Sequence, residues 1–88
     1  MKRSRMDLLH DMLRVTQAKG GRIKPTHLLY KANLSHEALR RYVRELIDGG
    51  LLMEEKQGAG RLYVLTDKGH RFLQEYKQLT AMAETFGI

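Results

Sequence analysis

The stretch Lys31-Ala32-Asn33-Leu34-Ser35 restricts the fold more than any other part of the chain. Asn tolerates the left-handed backbone that ends a helix, and Ser is a strong amino-terminal cap, yet the two stand only two residues apart. Before this junction, "PTHLLYKA" reads as a short helix. Pro25 fits its first turn, where the missing N–H has no partner to lose, and Leu28, Leu29 and Ala32 turn inward. After the junction a second helix runs from Ser35 to Asp48 and stops at Gly49-Gly50. Two helices joined so tightly must cross at a large angle.

That crossing is helix-turn-helix geometry, and the flanking segments extend it. Around the Ser35–Asp48 helix, Tyr42, Val43, Leu46 and Ile47 fall within roughly 80° of Leu39, whereas Glu37, Arg40, Arg41 and Arg44 occupy the other side. Upstream, Leu9, Met12, Leu13 and Thr16, flanked by Leu8 and Val15, mark a helix from Ser4 to Lys19 that Gly20 or Gly21 ends. "GGRIK" is a loop with room for a short strand at Arg22 to Lys24. Downstream, "LLMEEK" and "RLYVL" form a hairpin around Gln57-Gly58-Ala59-Gly60, a loop longer than the tightest hairpin turns and therefore a protruding tip. The last helix, from Asp67 to about Thr85, is capped by Thr66. It carries Phe72, Tyr76, Leu79, Ala83 and Phe86 at alternating spacings of four and three, supplemented by Leu73 and Met82. The expected fold is mainly α with a small β-hairpin (α+β): a winged helix-turn-helix over residues 1–88 as a single domain. Residues 1–66 make a three-helix core plus wing, and 67–86 a long C-terminal helix.

Composition narrows the function. With 88 residues there is material for one modest core, and with no cysteine there are neither disulfides nor thiolate metal sites. No apolar run reaches the ~18 residues of a membrane span, and acids rather than an apolar region follow the basic start, so a soluble, unprocessed, cytoplasmic chain is expected. His10, His27, His36 and His70 lack the spacing of a metal pair, no nucleophile with a base is evident, and the "GAG" of the hairpin lacks the helix a phosphate loop needs. No enzyme, cofactor or metal is expected, and so small a domain leaves little room for a small-molecule ligand.

The net charge is +6, and residues 1–31 alone carry that surplus. A domain of this kind is expected to meet polyanions, nucleic acid first; a solubilising surface is the other reading. Major-groove readout needs a helix anchored on one side and armed with long donors on the other, because guanine displays two acceptors there. Arg40, Arg41 and Arg44 meet that requirement. His36 sits where a recognition helix approaches base edges, and Ser35 caps the helix whose first-turn amides can hold a phosphate. Lys56 and Arg61 flank the wing tip, and Lys2, Arg3 and Arg5 precede or open the first helix within reach of phosphates. Glu54 and Glu55 confine wing contacts to the tip. Glu37, Glu45 and Asp48 cancel the three helix arginines, and Glu37 with Arg41 is a favourable pair, so an ion-paired solvated face has the same composition. The last helix, about 30 Å long, exceeds so small a body. Either the seam packs wholly on its own domain, or its outer half pairs with a twofold mate; a homodimer through Tyr76, Leu79, Met82, Ala83 and Phe86 is the expected case.

Two stretches, "KPTHLLYKANLSHEALRRYVRELIDGGLL" and "YVLTDKGHRFLQEYKQL", resemble small archaeal winged-helix proteins described as predicted transcriptional regulators, whose relatives include dimeric DNA-binding chromatin proteins. The resemblance spans roughly Arg5 to Leu79. It implies a recognition helix at 35–48, with the groove-facing role on His36, Arg40, Arg41 and Arg44, a wing at 56–61 with that role on Lys56 and Arg61, and dimerisation through the last helix. Pro25 departs from the polar residue common there, and Glu54 and Glu55 weaken the wing. The expected function is a sequence-preferring, nucleoid-associated double-stranded DNA-binding protein, regulatory or architectural. A winged helix used as a protein-interaction module in a larger complex is the alternative.

Overall fold

The computed structural model describes residues 3–88. Its elements run α1 (Arg5–Ala18), β1 (Arg22–Ile23), α2 (Pro25–Lys31), α3 (His36–Asp48), β2 (Leu52–Gln57), β3 (Gly60–Leu65) and α4 (Asp67–Thr85). Three of the four helices start on a side-chain cap, as the sequence predicts. Ser4 accepts the Asp7 N–H while the Asp7 carboxylate accepts the Ser4 N–H. Ser35 accepts from Ala38, and Thr66 from Gly69. Hydrogen bonds of the Ser4 side chain and then its backbone hold the Asp7 carboxyl below its ordinary range. α2 has no side-chain cap and starts on Pro25.

The turn between α2 and α3 has the expected form. Asn33 takes φ 54, and the Leu34 N–H donates to Leu29 O at 2.9 Å to close the first helix before Ser35 opens the next. The side chains of Met12, Leu13, Ile23, Leu28, Leu46 and Leu52 are at most 1% exposed, so every element from α1 to β2 contributes to one core. Burial of such a side chain contributes about 1.5–3 kcal/mol relative to exposure. The Ser35–Asp48 helix is therefore bedded firmly: Leu39, Val43 and Leu46 are buried, with Tyr42 and Ile47 packed at the margin.

One expectation is corrected, and one possibility that the sequence left open is realised. First, the hairpin is not joined by a long loop: Gln57 pairs with Gly60, leaving a two-residue turn, Gly58-Ala59. Gly58 at φ 59 supplies the positive torsion that such a turn demands at its first central position, so residues assigned to the loop continue the ladder instead. Second, the sheet has three strands in the order β1-β3-β2, because Arg22 and Ile23 pair with Val64 and Tyr63. The short strand that "GGRIK" allowed makes β3 central, and it ties the start of α2 to the wing.

The first turn of α4 is clamped to the end of α3. Lys68 Nζ donates to Gly49 O at 2.7 Å, Thr66 Oγ1 donates to Gly50 O at 2.6 Å, and Gly69 packs without a side chain against Leu51 and Leu65. From there α4 runs 19 residues, about 28 Å at 1.5 Å per residue, in a molecule whose longest extent is 49 Å.

Candidate functional site

The free side of α3 is less cancelled in charge than its sequence suggests. Glu45 is drawn off the helix face by Arg5, whose Nη2 lies 3.0 Å from its carboxylate. Arg44 lies 3.6 Å from Asp48, both well exposed, in a surface pair of the kind worth at most about 1 kcal/mol and easily exchanged for a phosphate. Arg40 and Arg41 are exposed and, among the described residues, pair with no carboxylate. The four-residue pair of Glu37 with Arg41 does not form; the Arg41 guanidinium instead lies 5.5 Å from the Tyr42 ring centroid, a geometry that stiffens the side chain without neutralising it. His36 is exposed in the first turn, and the Ser35 hydroxyl, 3.0 Å from the Ala38 nitrogen, keeps its own proton available for an acceptor.

Those residues do not stand alone. His36, Leu39 and Arg40 share a cleft of about 190 Å³ with Pro25, Thr26 and Leu29 of α2 and Arg61 of β3. An adjoining hollow of about 440 Å³ is lined by Lys24, Pro25, Thr26, Gln57, Gly60 and Arg61. Continuing the β1–β3 register beyond Ile23 and Tyr63 brings the start of α2 alongside Arg61. Lys24, Thr26 and Gln57 were thus missed by sequence reasoning: their place beside the recognition side depends on a pairing only two residues long.

The remaining sequence-predicted residues divide. Arg61 is held 3.1 Å from Glu54, and Glu55 is taken by Arg22, so the wing acids are engaged by neighbouring arginines. Lys56 is exposed, opposite Arg61 in the ladder. Lys2 lies outside the described residues. Arg3 turns inward: its guanidinium donates to Ala32 O at 2.6 Å, Asn33 O at 2.9 Å and Asp11 at 3.2 Å, bracing the α2–α3 turn. On α4, Tyr76 is half-buried, stacked on His10 at 3.9 Å between centroids, with its hydroxyl donating to Asp7 at 3.4 Å. Beyond it Leu79, Met82 and Phe86 are 62%, 57% and 73% exposed, with Ala83 half-buried between them. Among the described residues no group of three or more His, Cys, Asp or Glu can hold a metal, and no helix is long and apolar enough to cross a membrane.

A family model described as winged helix-turn-helix matches residues 2–84. The chain belongs to the winged helix-turn-helix family. Among curated proteins no sequence relative is detected. The winged helix is similar in fold to Sso10a-2, a DNA-binding protein from Sulfolobus solfataricus, with TM-score 0.81 at 20% identity over 96% of this chain and 85% of that one. It is similar to F93 from STIV, a winged-helix DNA-binding protein, with TM-score 0.76 at 25% identity over 90% and 91% of the two chains. A MarR family transcriptional regulator from Silicibacter pomeroyi aligns with TM-score 0.73 at 28% identity, over 88% of this winged helix and 53% of the longer protein.

Proposed function

We propose that the protein is a non-catalytic, sequence-preferring binder of double-stranded DNA, regulatory or architectural, acting in the cytoplasm at the nucleoid. α3 enters the major groove and the wing tip lies against the backbone. The observation that carries the reading is the exposed pair Arg40 and Arg41, free of carboxylate ion pairs among the described residues, on a helix anchored by Leu39, Val43 and Leu46, with Arg40 lining the cleft shared with Arg61. Bidentate donation by an arginine to guanine supplies discrimination, with His36 at the base edges near the helix start. Ser35, Arg44, Lys56 and Arg61 contribute phosphate contacts, for which Arg44 and Arg61 exchange their exposed carboxylate partners. The DNA-binding proteins among the structural neighbours support the same reading. The exposed outer part of α4 supports a homodimer through Leu79, Met82, Ala83 and Phe86, with Tyr76 at its inner margin.

Selection from a random duplex pool at physiological salt tests the reading. The parent is expected to enrich a sequence preference, and Arg40→Ala with Arg41→Ala to weaken the selected duplex by about 2–4 kcal/mol, roughly 30- to 1,000-fold, while flattening the preference. Affinity for any duplex that is absent, or that does not fall with salt, would reassign the fold to protein interaction.

A further inference from the structure

Much of the surplus positive charge of this chain does not sit where the proposed duplex is read. In the first 31 residues three cations are consumed by the protein itself: Arg3 on backbone carbonyls and Asp11, Arg5 on Glu45, Arg22 on Glu55. Lys24 lines the hollow beside α3, and the other described cations gather elsewhere. Arg14 and Lys19 of the α1 end, with His27 and Lys31 of α2, line a groove of about 590 Å³ floored by Val15, Ala18 and Ile23. Among the described residues no carboxylate lines it. The nearest ion pair is Arg14 with Asp11 at 3.9 Å, and Arg14 remains 58% exposed.

The direction of this groove follows from α2. At about 100° per residue, Pro25, Thr26 and Leu29, which line the cleft beside α3, centre on one side of the helix, and His27 with Lys31 centre on roughly the opposite side. β1 divides the same way, with Ile23 flooring the groove and the next residue, Lys24, lining the recognition side. A straight duplex lying against α3 and the wing therefore leaves Arg14, Lys19 and Lys31 pointing away from it.

We propose that this groove is a second phosphate-backbone contact, through which one protomer holds a second duplex, or a distant segment of the same one, while α3 reads the first. The chemistry favours a polyanion over a small anionic ligand. Its cations are long and exposed, and they stand on the rim with no fixed set of hydrogen-bond donors at the floor; such an arrangement attracts repeated charge without specifying shape. The choice of nucleic acid as the polyanion rests on the duplex-binding reading above.

The test is a capture assay. One duplex is immobilised, a second carries a fluorophore, and the protein is titrated between them at two or more salt concentrations. Arg14→Gln, Lys19→Gln and Lys31→Gln together are expected to leave affinity for a single free duplex within about threefold. The same triple change lowers capture of the second duplex at least fivefold and reduces its salt slope by roughly 0.9 for each phosphate contact removed. Ala18→Glu, which places a carboxylate in the groove, is expected to do the same from a different position. Leu79→Glu, which removes paired reading faces, is expected to keep capture. A smaller loss in the triple variant overturns the proposal, as does loss of capture in Leu79→Glu alone. Poly-glutamate that displaces the second duplex at lower charge concentration than duplex itself would assign the groove to an acidic protein, and also overturns it. Failure of the duplex reading shows separately, as absence of first-duplex binding by the parent, and removes this proposal with it.

Discussion

Arg3 and Arg40 carry the same guanidinium and meet opposite ends. Arg3 lies beside two carbonyls left free where α2 stops, and a cation there satisfies acceptors that would otherwise need water. Arg40 has no such neighbours and projects over the cleft. Nothing in the one-letter code separates them; the carbonyls that claim Arg3 lie 29 and 30 residues away along the chain. Gly69 shows the same dependence on neighbours. A Cβ there would stand 2.4 Å from Leu51 O and 2.5 Å from Leu65 Cδ1, and the first of these is backbone that cannot step aside. Gly69→Ala is expected to destabilise the fold by about 2 kcal/mol, the overpacking outweighing the roughly 1 kcal/mol that alanine gains in a helix. A urea midpoint at or above that of the parent would show that α4 slides to accommodate the methyl.

Among the elements, α3 was the most legible because its two sides differ so sharply in chemistry, and its cap and glycine stop are local signals. Ser35→Ala removes the acceptor for the Ala38 N–H and is expected to cost about 1 kcal/mol, read as a lower midpoint with an unchanged urea slope. β1 was legible only as a possibility, since two residues carry no periodicity; its existence is decided by the vacant edge of β3. The hairpin turn was misjudged for a related reason. Gly-Ala-Gly offers positive torsions at two places, and the register of Leu52 with Leu65 determines which one the turn uses. α4 reads as one seam in sequence, but its inner member Tyr76 is claimed by His10 and Asp7, leaving the seam to begin effectively at Leu79.

For the molecule as a whole, the clamp of Lys68 and Thr66 on the end of α3 fixes the direction in which α4 leaves the body. In a homodimer through α4, that direction sets the separation of the two α3 helices and hence the spacing of half-sites. Leu79→Glu is expected to give the monomer mass in light scattering while the thermal unfolding of the body stays close to that of the parent. A dimer mass in that variant would place the association elsewhere. The helix boundaries, the caps, the tight turn at Asn33 and the two-sidedness of α3 were determined by the sequence itself, because each depends on residues within a turn or two of one another. Which arginines stay free, which hollow joins α2 to the wing, and where the excess positive charge comes to rest were decided only by the tertiary structure. An ion pair or a cleft is a relation between distant parts of the chain, and it exists only once packing has brought them together.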